Sequence, residues 1–159
     1  MKLFSNNFPA QKGFSVLEFL VVIAIFAIIA SLTFSSFSSL RQSKTLETDT
    51  LSVLSLLEKA RADTLGSKGA TQYGVHFETT KATLFTGATY SSGNASNISV
   101  IFNPRVQIST ISLTGGTSNV VFQRLSGKTS VSGTVTLSLT GASSTKIISI
   151  AGTGLSQIQ

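Results

Sequence analysis

The stretch that decides the fold is KGFSVLEFLVVIAIFAIIAS, which runs from Lys12 to Ser31. It opens with a basic residue and a glycine, and it continues as a long apolar run that contains one carboxylate, Glu18. From Phe19 to Leu40 no residue is charged, a run of 22 positions. A membrane-spanning helix needs roughly 20 such residues. A carboxylate near the start of such a helix is costly, so it indicates a specific partner of opposite charge.

The segment GFSVLE, from Gly13 to Glu18, resembles the class III signal peptide of type IV pilins and of the pseudopilins of type II secretion. That pattern is a short basic leader ending in glycine, followed by phenylalanine, a small hydroxyl residue, two aliphatic residues and a glutamate. The resemblance implies that a membrane prepilin peptidase cleaves after Gly13 and that the new N-terminal amine of Phe14 is methylated. It also implies that Glu18 pairs with the N-terminal amine of a neighbouring subunit.

The resemblance and the hydropathy together predict four segments. Residues 1–13 are a leader, and its two lysines favour a cytoplasmic location. Residues 14–40 form a transmembrane half-helix that becomes the filament core, and 41–66 form an amphipathic half-helix. Residues 70–159 form an antiparallel β domain outside the cytoplasm. We therefore expect a single-pass protein of the bacterial inner membrane that joins a filament on assembly.

One long helix is predicted from Phe14 to about Leu65, because its second half places apolar residues at helical spacing. Those predicted packing positions are Leu46, Val53, Leu54, Leu57, Ala60 and Leu65. Gly66 and Gly69 follow as a stop signal.

The chain after Gly69 is rich in serine, threonine, glycine and β-branched residues, with turn signals between strand-like runs. The predicted strands are Tyr73–Glu78, Ala82–Phe85, Ile98–Phe102, Val106–Leu113, Val120–Leu125, Val131–Leu139 and Lys146–Ala151. We expect them to form an antiparallel sheet with one face on the amphipathic half-helix. The predicted class is α+β with a pilin-like architecture.

The composition argues against an enzyme. The chain has no cysteine and a single histidine, His76, which we expect to face solvent or a polar neighbour. No phosphate-binding loop, nucleophile elbow or metal-ligand cluster is present in the sequence. Most of the few carboxylates fall on the helix, where a solvated face explains them. We therefore predict no catalytic residue, no metal and no cofactor.

The β region is similar to that of GspH/FimT-like minor pilins and pseudopilins. The similarity rests on three groups of residues along the region. They are Gly74, Val75 and Phe77 early, Phe122 and Gly127 in the middle, and Ile148, Ile150, Gly152, Gly154 and Leu155 near the end. It implies a structural subunit of a type II secretion pseudopilus or a type IV pilus. The implied partners are other pilin subunits, the prepilin peptidase, the inner-membrane assembly platform and membrane lipid.

Two alternatives remain open from the sequence. The first is a competence-type minor pilin that binds DNA. The tail after Lys146 carries no arginine or lysine, and without the leader the chain keeps ten basic against six acidic side chains, a net charge of +4. Because DNA affinity grows with the number of phosphates neutralised, DNA is an unlikely partner. The second alternative is a signal-anchored surface protein unrelated to pili.

Overall fold

The structure is a computed structural model that describes Gly13 and residues 15–159, without the side chains of residues 33–39. The remainder of the predicted leader, 1–12, and Phe14 lie outside the described residues, and so does part of the predicted span 14–40. The chain divides into two compact units, one that ends at Ser39 and one from Leu40 to Gln159.

The helix α1 runs from Val16 to Leu65, so its predicted C-terminal end is confirmed. It stops where the N–H of Gly66 donates to the carbonyl of Ala62 at 2.9 Å. Ser67 and Gly69 then take positive φ angles of 47° and 62°, which a helix cannot continue through.

Among the described residues, no helix combines the length and the apolar character that crossing a membrane requires.

In the second unit, α1 buries one face along positions 46, 50, 53, 57, 60 and 64. This spacing is the expected one, but two of the predicted packing residues lie elsewhere: Leu54 is half-buried and Leu65 is exposed. Their places in the core belong to Thr50 and Thr64, which are 1% and 0% exposed. Each threonine hydroxyl donates to the carbonyl four residues earlier at 2.7 Å, so a polar side chain is buried without an unpaired donor.

Eight strands follow the helix. They are β1 Tyr73–Glu78, β2 Lys81–Thr86, β3 Ile98–Ile101, β4 Val106–Leu113, β5 Asn119–Val121, β6 Gly133–Leu139, β7 Thr145–Ile150 and β8 Ser156–Ile158. The predicted bounds of β1 and β4 are confirmed. The strand predicted at Val120–Leu125 is shorter, because residues 123–128 form a loop closed by Gln123 N–H donating to the Lys128 carbonyl at 2.7 Å.

The strands form two four-stranded antiparallel sheets, so the prediction of a single antiparallel sheet is wrong in this respect. The first sheet has the order β3-β2-β1-β5 and the second has the order β4-β6-β7-β8. The chain leaves the first sheet after β3, returns to it for β5 and leaves it again. Strand β8 was not predicted, because only a short run follows Gly154.

One cluster of buried side chains joins α1 to both sheets, which confirms the α+β architecture of a helix on antiparallel sheets. The helix contributes Leu46, Val53, Leu56, Leu57 and Ala60. The first sheet contributes Val75, Phe77, Leu84 and Val120, and the second contributes Ile108, Val135, Leu137 and Ile148. The complete cluster lies between residues 46 and 150, within the second unit.

Candidate processing and assembly site

The predicted cleavage junction lies just before the helix begins. Gly13 is exposed and outside any helix or strand, and an added Cβ would meet no atom within 4 Å. Ser15 is likewise exposed and non-helical. The predicted methylation position, Phe14, lies outside the described residues. Gly13 and Ser15, the described residues on either side of Phe14, are therefore both exposed.

Ser15 fixes where the helix starts. Its Oγ accepts a hydrogen bond from the N–H of Leu17 at 3.2 Å, and its carbonyl accepts one from the N–H of Phe19 at 3.2 Å. This is N-capping, in which a hydroxyl satisfies one of the donors that the first helical turn leaves unpaired. The small hydroxyl residue of the motif thus caps α1, whose first residue is Val16.

Glu18 lies in the first turn of α1 and is exposed. A carboxylate is favourable there, because the N-terminal end of a helix carries partial positive charge. Among the residues that the structure describes, no cation lies within ion-pair distance of Glu18.

The helix after Glu18 is apolar and exposed on every side in the single chain. Every described residue from 15 to 32 is exposed, and several apolar side chains show more than half of their surface. Examples are Val16 at 77%, Leu32 at 68% and Phe26 at 67%. A continuous apolar surface of this kind indicates contact with lipid or with other protein chains.

Four of the five carboxylates between Leu40 and Gln159 have structural partners. Glu47 bonds Lys44 at 2.7 Å, and Asp63 bonds Lys59 at 3.1 Å. Asp49 Oδ2 accepts the N–H of Asn103 at 2.9 Å. Glu78 lies 3.3 Å from Lys81. These contacts join neighbouring turns or tie the helix to a strand, and they do not bring two carboxylates to one cleft. Among the described residues, no group of three metal-ligating side chains comes together.

His76 has the polar neighbour that the sequence predicted. Its Nδ1 lies 2.6 Å from Oδ1 of Asn119, and its ring stacks on Tyr90 with the centroids 3.9 Å apart. Tyr90 in turn meets the buried ring of Phe85 edge-on at 5.6 Å. The histidine therefore helps to hold the β2–β3 loop over the sheet, which is a structural role.

The glycines near the C-terminus also have a structural explanation. A Cβ on Gly154 would lie 1.8 Å from the carbonyl oxygen of Gly127, so the two loops touch through their main chains. Arg61 of α1 donates from Nε to the same oxygen at 3.3 Å. Gly127 and Gly154, two of the glycines in the subfamily resemblance, thus join two loops to the end of the helix.

Comparison with known families identifies one feature. Residues 9–34 match the model of the prokaryotic N-terminal methylation motif. The chain therefore has a type IV pilin-like or pseudopilin-like N-terminal region, and the motif implies processing by a prepilin peptidase. No curated protein and no solved structure matches the chain significantly.

The motif carries further general implications. Proteins with prepilin motifs are anchored in the inner membrane before assembly, and they assemble with other pilin-like subunits. They are structural proteins rather than enzymes, in agreement with the expectation from composition. The helix on antiparallel sheets is the architecture expected beside such a motif.

Proposed function

We propose that this chain is a minor pilin or pseudopilin of the GspH/FimT-like kind, a structural subunit of a type II secretion pseudopilus or a type IV pilus. The observation that carries the proposal is the exposed apolar helix that lies within the methylation motif, which matches residues 9–34. In the single chain this apolar surface is exposed. Lipid would cover it before assembly, and the helices of neighbouring subunits would cover it after assembly.

The proposed mechanism is assembly. The peptidase cleaves after Gly13, and Phe14 becomes the methylated N-terminus. The segment 14–40 anchors the subunit in the inner membrane and later enters the filament core. There Glu18 pairs with the N-terminal amine of an adjacent subunit, because neither charge is tolerated alone in an apolar core. The β domain stays outside the cytoplasm and selects the neighbouring subunits.

Mass spectrometry of the N-terminus, on protein from native membranes, tests the processing step. We expect a chain that begins at Phe14 with a methylated amine. A chain that keeps Met1 would indicate a signal-anchored protein in place of a pilin, and a chain cut after the apolar run would indicate a secreted β domain.

Replacement of Glu18 tests the assembly step. Glu18→Ala should be processed and anchored normally but should fail to enter filaments. Glu58→Ala is a matched control, because Glu58 is an exposed carboxylate on the same helix. Equal assembly of the two variants would remove the proposed role of Glu18.

A further inference from the structure

The edge of the first sheet at β3 has main-chain groups without partners. β3 pairs only with β2, so its other side is open. Phe102 donates to the carbonyl of Thr80 at 2.9 Å, which fixes the alternation along the strand. Residues 98, 100 and 102 therefore direct their main-chain groups to β2, and Ser99 and Ile101 direct theirs outward.

The two ends of this open edge are already satisfied within the chain. The N–H of Asn97 donates to the carbonyl of Asn94 at 3.1 Å, and the N–H of Asn103 donates to Asp49 Oδ2 at 2.9 Å. Between them, the N–H and C=O groups of Ser99 and Ile101 have no partner among the described residues. The free part of the edge is therefore limited to Ser99 and Ile101, which we call the window. Asn97 and Asn103, on either side of it, already have hydrogen-bonded N–H groups.

β3 exposes two apolar side chains at or beside this window. Ile98 is 49% exposed and Ile101 is 77% exposed, and β3 contains neither a lysine nor a proline. Proteins usually protect an open edge with charge, proline, a bulge or very short length. The edge strand β4 carries a bulge between Ile108 and Thr110, and the edge strands β5 and β8 have three residues each. An unprotected apolar edge indicates a strand that pairs with another strand.

A groove runs beside the same edge on the core face of the sheet. Its volume is about 440 Å³, and it lies between α1 and Val100. Leu51 and Leu56 supply its apolar lining together with Val100, and Ser52 and Ser55 supply small polar walls. An apolar side chain from a partner strand that lies beside Val100 could therefore be buried in this groove.

We propose that this edge binds the same edge of a second copy of the chain, as an antiparallel β3–β3 pair centred on Val100. In that register, Ser99 of each copy lies opposite Ile101 of the other. The two pairs exchange four hydrogen bonds, so every unpaired main-chain group of both windows gains a partner. The product is one continuous eight-stranded sheet.

The register follows from which groups are free. A pair centred on Ser99 would place Ile101 opposite Asn97, and a pair centred on Ile101 would place Ser99 opposite Asn103. Both asparagine N–H groups are already bonded within the chain. Only the pair centred on Val100 joins free groups to free groups. It also places the two Val100 side chains next to each other, beside the two grooves.

The first test measures association of the full-length chain in detergent micelles by sedimentation over a range of concentrations. We expect a reversible dimer. Ile101→Pro removes an outward N–H that the monomer does not use, and proline is tolerated on an edge strand. It should weaken the dimer by about tenfold or more, because each copy loses one intermolecular hydrogen bond.

Ile101→Lys serves as a second disruptive variant if the proline variant is less stable on thermal unfolding. Leu125→Lys is the matched control, because Leu125 is 82% exposed and lies in the loop after β5. It should leave the dimer unchanged. A chain that stays monomeric would overturn the proposal, and so would a dimer that resists both Ile101 substitutions.

The second test uses the absence of native cysteine. Val100→Cys should form a disulfide between copies on mild oxidation, because directly opposed residues bring their Cβ atoms within reach. Ile98→Cys should not, because the two copies of residue 98 would be about 13 Å apart along the strands. Cross-linking at 98 but not at 100 would contradict the register. The experiments do not involve residues 12–18, so their outcome is independent of the proposed function.

Discussion

The hydroxyl oxygen of Thr64, at the end of α1, accepts a hydrogen bond from the backbone N–H of Tyr73, the first residue of β1, at 3.0 Å. The same hydroxyl donates to the Ala60 carbonyl at 2.7 Å. One fully buried hydroxyl is thus hydrogen-bonded both to a carbonyl in the preceding helical turn and to the first N–H group of β1. It fixes where the first sheet starts relative to the helix.

Thr64→Val should lower the free energy of unfolding by about 1–3 kcal/mol, because it leaves the buried N–H of Tyr73 without an acceptor. Thr50→Val is the control. Thr50 is equally buried, but its hydroxyl only donates to the Leu46 carbonyl. Its removal therefore leaves no buried N–H group without an acceptor. Urea unfolding at fixed detergent concentration measures both variants. Equal losses would show that the link to β1 contributes nothing beyond burial.

Gly154→Ala should be strongly destabilising, by roughly 2–4 kcal/mol, because it adds a steric clash to an unfavourable positive φ. The new Cβ would lie 1.8 Å from the Gly127 carbonyl oxygen at a φ of 83°. Gly141→Ala separates the two causes. Gly141 has a φ of 78° with no atom within 4 Å of an added Cβ, so we expect a loss of only about 1 kcal/mol. Thermal unfolding of both variants gives the difference, and a difference near zero would contradict the contact between the two loops.

Leu57→Ala should cost about 2–5 kcal/mol, because the side chain is fully buried between the helix and the sheets. Leu51→Ala, on the same helix, removes the same atoms from a side chain that is 50% exposed. We expect its effect to stay within about 0.5 kcal/mol at protein concentrations that keep the chain monomeric. Chemical denaturation of the two variants checks which face of the helix meets the core.

The pKa of Glu47 is lowered by a hydrogen bond from Lys44 and by the charge of that ammonium group. Because the lower pKa belongs to the folded state, the pair stabilises the fold above the ordinary pKa of glutamate. Its contribution disappears as the pH falls through the lowered value. Lys44→Met should return the pKa of Glu47 towards its ordinary value in an NMR titration. Lys59→Met, which removes the partner of Asp63, should leave the pKa of Glu47 where it is.

Local features were predictable from the sequence where a short pattern determined them. The end of α1 follows from Gly66 and Gly69, and β1 and β4 follow from runs of β-branched and aromatic residues bounded by turn signals. The N-cap at Ser15 was not predicted, because the helix was expected to begin at Phe14; the hydrogen bond that Ser15 accepts from Leu17 is seen only in the structure.

Features that depend on distant parts of the chain were not predictable in this way. Two threonines occupy core positions of α1 because back-bonding to the preceding turn satisfies their hydroxyls, which a hydrophobic pattern does not reveal. The division into two sheets depends on which strands pair across many residues. One end of the open edge at β3 is set by the hydrogen bond between Asp49 and Asn103, which are 54 positions apart.

The alternation of the chain between its two sheets has a consequence for how the β domain unfolds. Along the chain, β4 of the second sheet comes before β5, the last strand of the first sheet. In turn, β5 comes before β6, the strand that pairs with β4. Neither sheet is a continuous piece of chain that can detach while the other remains intact, and α1 contributes to the core of both. Loss of one sheet therefore exposes the hydrophobic face of the other. The domain from Leu40 to Gln159 should melt in a single cooperative transition, and it can complete its fold only after its last strands have been synthesised.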